Sequence, residues 1–142
     1  MNDNILEVSD LQVRYRVGRR RIEAVRGIDL AVPRGGIVAL VGESGSGKSS
    51  VSQALIRRLA GNGEIAAGRV VFDGQDLLKL PMKRMRAIRG GSIGFVPQDP
   101  NSSLNPTLRI GEQLVEGLRL HLGLGREEAA ERAVRILGDV GL

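Results

Sequence analysis

The 142-residue chain carries a net charge of +5, 42% hydrophobic residues and no cysteine. That length suits one domain with a modest core, and the lack of thiols excludes disulfides and thiolate metal sites, as in a cytoplasmic chain. The longest aliphatic run, 37–41, is far below the ~20 residues of a membrane-spanning helix, and Met1-Asn2-Asp3-Asn4 begins no secretory signal.

Two short strand signals come first, Ile5-Leu6-Glu7-Val8 and Leu11-Gln12-Val13-Arg14-Tyr15, the second alternating with period two. Two more follow at 22–25 and 28–32. Between the pairs, Arg19-Arg20-Arg21 after Gly18 reads as a hairpin tip. The positive charge is nearly all arginine, the only lysines being Lys48, Lys79 and Lys83. Proteins that read single-stranded nucleic acid interleave such charge with aromatics. Here Tyr15, Phe72 and Phe95 stand far apart, so the basic tip reads as a solvated loop and no nucleic-acid partner is expected.

After a turn at Pro33-Arg34-Gly35-Gly36, the run Ile37-Val38-Ala39-Leu40-Val41 predicts a buried strand. It leads into Gly42-Glu43-Ser44-Gly45-Ser46-Gly47-Lys48-Ser49, a G-x-x-x-x-G-K-[ST] loop that opens a predicted helix over 48–60. The chemistry needs these residues here. Gly42, Gly45 and Gly47 allow backbone conformations that turn successive N–H groups inward. Those donors and the helix start form a positive concavity for the α- and β-phosphates of a nucleotide. Lys48 reaches the β- and γ-phosphates as a point charge, and the Ser49 hydroxyl is a Mg²⁺ ligand. Glu43 and Ser46 contribute backbone N–H groups more than side chains, and Ser44 and Ser50 complete the nucleotide-contacting set.

Gly61-Asn62-Gly63 stops the helix. Val70-Val71-Phe72 predicts a strand ended by Asp73-Gly74, and Pro81 starts a short helix through Arg89. Ile93-Gly94-Phe95-Val96 predicts another strand, running into Pro97-Gln98-Asp99-Pro100. From Ile110 the pattern becomes helical, over 110–122 and 126–137, the second with Glu127 and Glu128 in its first turn. The apolar faces of both helices read as packing.

This order resembles the ATPase subunit of ABC transporters over essentially the whole chain. Leu11-x-Val13-x-Tyr15 lies where that family keeps an aromatic that stacks on adenine. The phosphate loop has no mismatch, and Phe95-Val96-Pro97-Gln98-Asp99-Pro100 matches the family's glutamine loop. Val41 to Ser49, Gln98-Asp99-Pro100 with Ser103-Leu104-Asn105-Pro106, and Ile110 to Glu116 look like the oligopeptide and dipeptide importer branch, which also holds nickel and glutathione importers.

The resemblance implies an α/β fold: a RecA-like P-loop core (37–61 and 81–100), an antiparallel β subdomain (1–36 and 62–80) and the start of a helical subdomain (101–142). It implies ATP and Mg²⁺ as cofactors, with Lys48 and Gln98 as catalytic residues and Ser49 and Gln98 at the metal. Gln98 would touch the Mg²⁺ or the attacking water from a movable loop. Implied partners are a second ATPase domain, identical or different, and membrane permease subunits, with the chain peripheral on the cytoplasmic face of the inner membrane. Plainer readings stay open: Tyr15 as an ordinary strand aromatic, Gln98 as a polar loop residue, Asp99 as a turn former.

Departures from the family are Gly36, where relatives often carry glutamate, and the absence within 1–142 of the signature and Walker B motifs. Gly90-Gly91 precedes the glutamine loop and is no signature. Val70-Val71-Phe72-Asp73 imitates a Walker B but reads as an antiparallel strand and turn, and His121 reads as a helix-surface residue. The chain is therefore expected to be the N-terminal portion of an ATPase. A small-molecule P-loop kinase, a nucleic-acid-dependent ATPase and an inert fragment are the rivals. The 142-residue polypeptide is expected to bind ATP without hydrolysing it above background, because the groups that position water and neutralise charge in the transition state are not among its motifs. Phosphate release, with Lys48→Ala as contamination control, checks this: robust turnover lost in the control would contradict it.

Overall fold

A computed structural model of the chain describes residues 3–99 and 103–142. Met1 and Asn2 of the N-terminal reading, Pro100 of the glutamine-loop motif, and residues 101 and 102 lie outside the described residues. The chain divides into two compact units, 1–85 and 86–142.

The first unit is built on β1 (Asn4–Val17) and β2 (Arg20–Pro33), an antiparallel hairpin turning at Gly18-Arg19. β3 (Gly63–Phe72) pairs antiparallel with the other edge of β1, and β4 (Gln75–Asp76) adds to β3, giving the order β2-β1-β3-β4. The sequence predicts two strands on each side of this hairpin, yet each side is one continuous strand. Ser9-Asp10 is a bulge rather than a break: the register shifts between Val8 and Leu11, and Asp10 sits at φ 45 with its N–H donating to Asp29 Oδ1 at 2.9 Å. Val70-Val71-Phe72 lies in the antiparallel ladder and Asp73-Gly74 is the turn after it.

Helix α1 (Lys48–Leu55) buries Val51 and Ala54, one helical turn apart, toward β1 and β2. It ends short of the predicted Ala60. Arg57 takes φ 51, which breaks the helix, and its guanidinium donates to the Leu77 and Leu80 carbonyls at 3.1 and 2.6 Å. Val8, Leu11, Val13, Val25, Val51, Ala54, Ile56, Val70, Leu77 and Met85 are the buried core of this unit. Helix α2 (Met82–Gly91) starts after Pro81, as expected, and leaves helical geometry at Arg89 and Gly90.

In the second unit α3 (Ile110–Leu122) packs on α4 (Arg126–Asp139), both close to the predicted bounds. Ala129 and Ala133, on one face of α4, are its buried residues. Small side chains there let the neighbouring helix approach closely.

Two predicted strands are corrected. Residues 37–41 have no regular secondary structure, with Ile37 98% and Val41 89% exposed. A strand exists through its ladder, and among the described residues no segment pairs with 37–41. Residues 93–96 likewise form no strand beyond an isolated parallel bridge between Arg89 and Ile93. Periodicity marks what can be buried; it does not supply the neighbour.

Leu11 is fully buried between strands. Leu11→Ala is expected to lower stability by about 2–4 kcal/mol, whereas Leu120→Ala, at a 74% exposed position, changes it by less than about 0.5 kcal/mol. Denaturant midpoints of the two variants check this.

Candidate nucleotide site

The phosphate loop begins where the coil 37–41 ends and closes on the first turn of α1. Gly45 (φ 82) and Gly47 (φ 95) are both left-handed, a conformation that side-chain-bearing residues resist. Between them Ser46 N–H donates to the Glu43 carbonyl at 3.2 Å, which tightens the turn.

Gly47 is the N-cap of α1, and no side chain caps it. Helix geometry leaves the next N–H groups without intrahelical acceptors. The glycine is also required by space. A Cβ at position 47 would lie 2.5 Å from the Ala24 carbonyl oxygen of β2 and 3.5 Å from Val25 Cγ2. The loop therefore rests directly on the β2 backbone.

Lys48 folds back over this loop. Its Nζ donates to the carbonyls of Gly42 and Glu43, both at 2.7 Å, and approaches Ser46 Oγ at 3.4 Å. The ammonium thus rests on two backbone carbonyls at the positive end of a helix. Ser49 is exposed on the first turn, and Ser50 is half-buried beside it. Lys48, Ser46, Gly42 and Val51 share an opening of about 430 Å³ with Ala24 to Ile28 of β2. The Lys48 ammonium, the first N–H groups of α1 and the exposed Ser49 hydroxyl together suit a polyphosphate. No cluster of three or more His, Asp or Glu able to hold a metal exists among the described residues, so a Mg²⁺ here would depend on Ser49 and on the phosphates themselves.

Residues 42–50 form one continuous loop and helix start in the first unit, and Tyr15 lies outside it. Tyr15 is half-buried on β1, paired with Ile22 and with Gly63. A Cβ at Gly63 would meet the Tyr15 ring at 2.7 Å, so one ring face lies on that glycine. Tyr15 lines a separate opening of about 220 Å³ with Arg14, Arg16, Arg21 and residues 61–64, and this opening shares no lining residue with the one beside Lys48. Gln98 is exposed in a bend of the second unit.

Sequence reasoning missed Ala24, whose carbonyl supports Gly47. It also missed Gln113, whose amide accepts from Asn105 N–H at 2.8 Å and donates to the carbonyls of Asn105 and Leu108, both at 3.1 Å. The signal for Gln113 was a glutamine in the first turns of a helix, facing a loop rich in turn residues. Nothing in the sequence signals Ala24, since a backbone atom does this work. Gly47→Ala is expected to abolish nucleotide binding and to destabilise the first unit by about 1–3 kcal/mol through strain and displacement of β2. Calorimetry with ATP and a thermal melt check both effects.

Comparison with known proteins places these features in a family. A family profile described as ABC transporter matches residues 25–142. The oligopeptide transport ATP-binding protein OppD of Bacillus subtilis is 40% identical over 139 residues, covering 97% of this chain and 39% of that protein. OppD of Salmonella typhimurium is 42% identical over 136 residues, covering 96% and 40%. The chain thus spans about two fifths of the length of these relatives. The dimeric ATP-binding cassette MJ0796, in a post-hydrolysis state bound to ADP and Pi, superposes with a TM-score of 0.79 at 27% identity, covering 94% of this chain and 56% of that one. A phosphate loop seated on an antiparallel sheet, a family profile that takes in 25–142 and relatives matched along nearly the whole chain agree: this chain belongs to the ABC transporter family.

Proposed function

We propose that residues 42–50 bind the phosphates of Mg-ATP and that the chain serves in an ATPase that powers import of peptides or similar solutes. The observation that carries the binding half is the Lys48 ammonium held at 2.7 Å from two loop carbonyls, above left-handed glycines at the start of α1. Charge-assisted contacts to phosphate would replace these carbonyl contacts with little movement, since the side chain is already folded inward. The Ser49 hydroxyl, exposed on the first turn, would hold the Mg²⁺, which neutralises charge on the bridging oxygens when bound.

The wider role rests on the relatives' names and on the motifs of the chain. Tyr15 supplies a ring for the adenine, and Gln98 carries nucleotide state to the helical segment. A second ATPase domain supplies the opposing half of each site, as the dimeric state of MJ0796 supports, and membrane permease subunits receive the motion. Among the described residues no helix is long and apolar enough to cross a membrane, which suits peripheral attachment to a permease on the cytoplasmic face.

Lys48→Ala is expected to weaken Mg-ATP by at least ~100-fold, the scale of a lost charged hydrogen bond of about 3 kcal/mol. Calorimetry reads it, with circular dichroism showing that the variant keeps the fold. Equal affinity in variant and parent would sink the assignment.

A further inference from the structure

Gly90-Gly91 and His121 stand far apart in sequence and have no part in the nucleotide cradle. In the second unit the structure brings them together. Gly90 lies at φ 80, ψ −28, where α2 ends. A Cβ on it would fall 2.5 Å from His121 Nε2, 2.7 Å from Cε1 and 3.1 Å from Cδ2. The imidazole therefore occupies the room in which a side chain at 90 would stand, and one on Gly91 would reach Nδ1 at 3.9 Å. Two independent demands converge on a glycine at position 90: the left-handed backbone and the ring above it.

The turn under the ring is the root of the glutamine loop. Gly90 N–H donates to the Ile93 carbonyl at 2.9 Å, and Ser92 and Ile93 N–H both donate to the Ile88 carbonyl at 2.9 Å. These bonds, with the Arg89–Ile93 bridge, set the direction in which 93–98 leaves α2. Beyond Ile93 the segment exposes apolar side chains, with Phe95 44% and Val96 93% exposed. Whatever fixes the turn therefore fixes the start of the segment that carries Gln98. His121 is itself solvent-exposed, in the last turn of α3, so burial does not explain where its ring rests.

We propose that His121 is a positioning residue for Gln98: its ring is the seat of the Gly90-Gly91 turn and ties the C-terminal end of α3 to the root of the glutamine loop. The role rests on Gln98 serving the nucleotide, as proposed above. Rotation or withdrawal of α3 would lift the ring from the turn, so the helix and the loop that carries Gln98 would move as one device.

Nuclear magnetic resonance of the 142-residue chain tests this with His121→Ala, which empties the seat, and His121→Phe, which keeps a flat ring. The Gly90 Hα resonance is expected upfield in the parent and in His121→Phe, and shifted back in His121→Ala. Mg-ATP is expected to move the amides of 42–50 in all three proteins. It should move the Gln98 side-chain amide in the parent and in His121→Phe, with that response lost in His121→Ala. A Gly90 resonance indifferent to both substitutions, or a Gln98 response unchanged in His121→Ala, overturns the proposal. If the 42–50 amides ignore Mg-ATP even in the parent, the nucleotide reading falls and the role of His121 with it, while Gly90 still reports whether the seat exists.

Discussion

The backbone of β2 passes so close beneath the phosphate loop that position 47 has room for a hydrogen atom and nothing larger. Ala24 O would stand 2.5 Å from a Cβ there. From this contact the rest of the site follows. With its base on the sheet, the loop can turn through two left-handed glycines, start α1 without a capping side chain and fold Lys48 over its own carbonyls. The sheet is thus more than a neighbour of the nucleotide site. It is the floor that fixes the loop, and such preorganisation is what would make the proposed phosphate contacts effective.

How much of this was legible in the sequence depended on whether the determinant was local. The P-loop spacing, the entry of α2 at Pro81 and the bounds of α3 and α4 are set by residues within a turn or two of each other, and the chain displays them openly. The fused strands β1 and β2 were harder. Ser9-Asp10 has the composition of a turn, but Asp29 across the hairpin captures the Asp10 N–H and converts it to a bulge. Strand 37–41 failed for the opposite reason. Its aliphatic run is a good strand sequence, but a ladder partner is a property of distant residues, and among those described there is none. Tyr15, Gln98 and the 42–50 loop were likewise assembled into one site by resemblance. The structure supports the loop on its own geometry, and Tyr15 lines a different opening.

The arginine-rich hairpin shows how the same charges can look different once paired. Arg14 and Glu23 face each other across β1 and β2 and form an ion pair at 3.1 Å. Arg16 and Arg21 are opposed with like charge, and Val17 faces Arg20. Like charges directly across a ladder destabilise it, so the tip is held by its backbone and turn rather than by its side chains. Screening by solvent makes this tolerable at an exposed tip.

A contrast between the two glycine-dependent turns leads one step further. At Gly47 the obstacle is a main-chain carbonyl of β2, which cannot move without disturbing the sheet; that turn is a fixed floor. At Gly90 the obstacle is the ring of an exposed side chain at the end of a helix, which can swing away at the cost of a few van der Waals contacts. The same local requirement, a missing Cβ, is therefore met by a main-chain partner at the proposed phosphate cradle and by a side-chain partner where a loop leaves α2. A loop proposed to hold phosphate charge still, and a segment proposed to answer to it, call for opposite mechanical properties. In this chain the difference lies in what stands over each glycine.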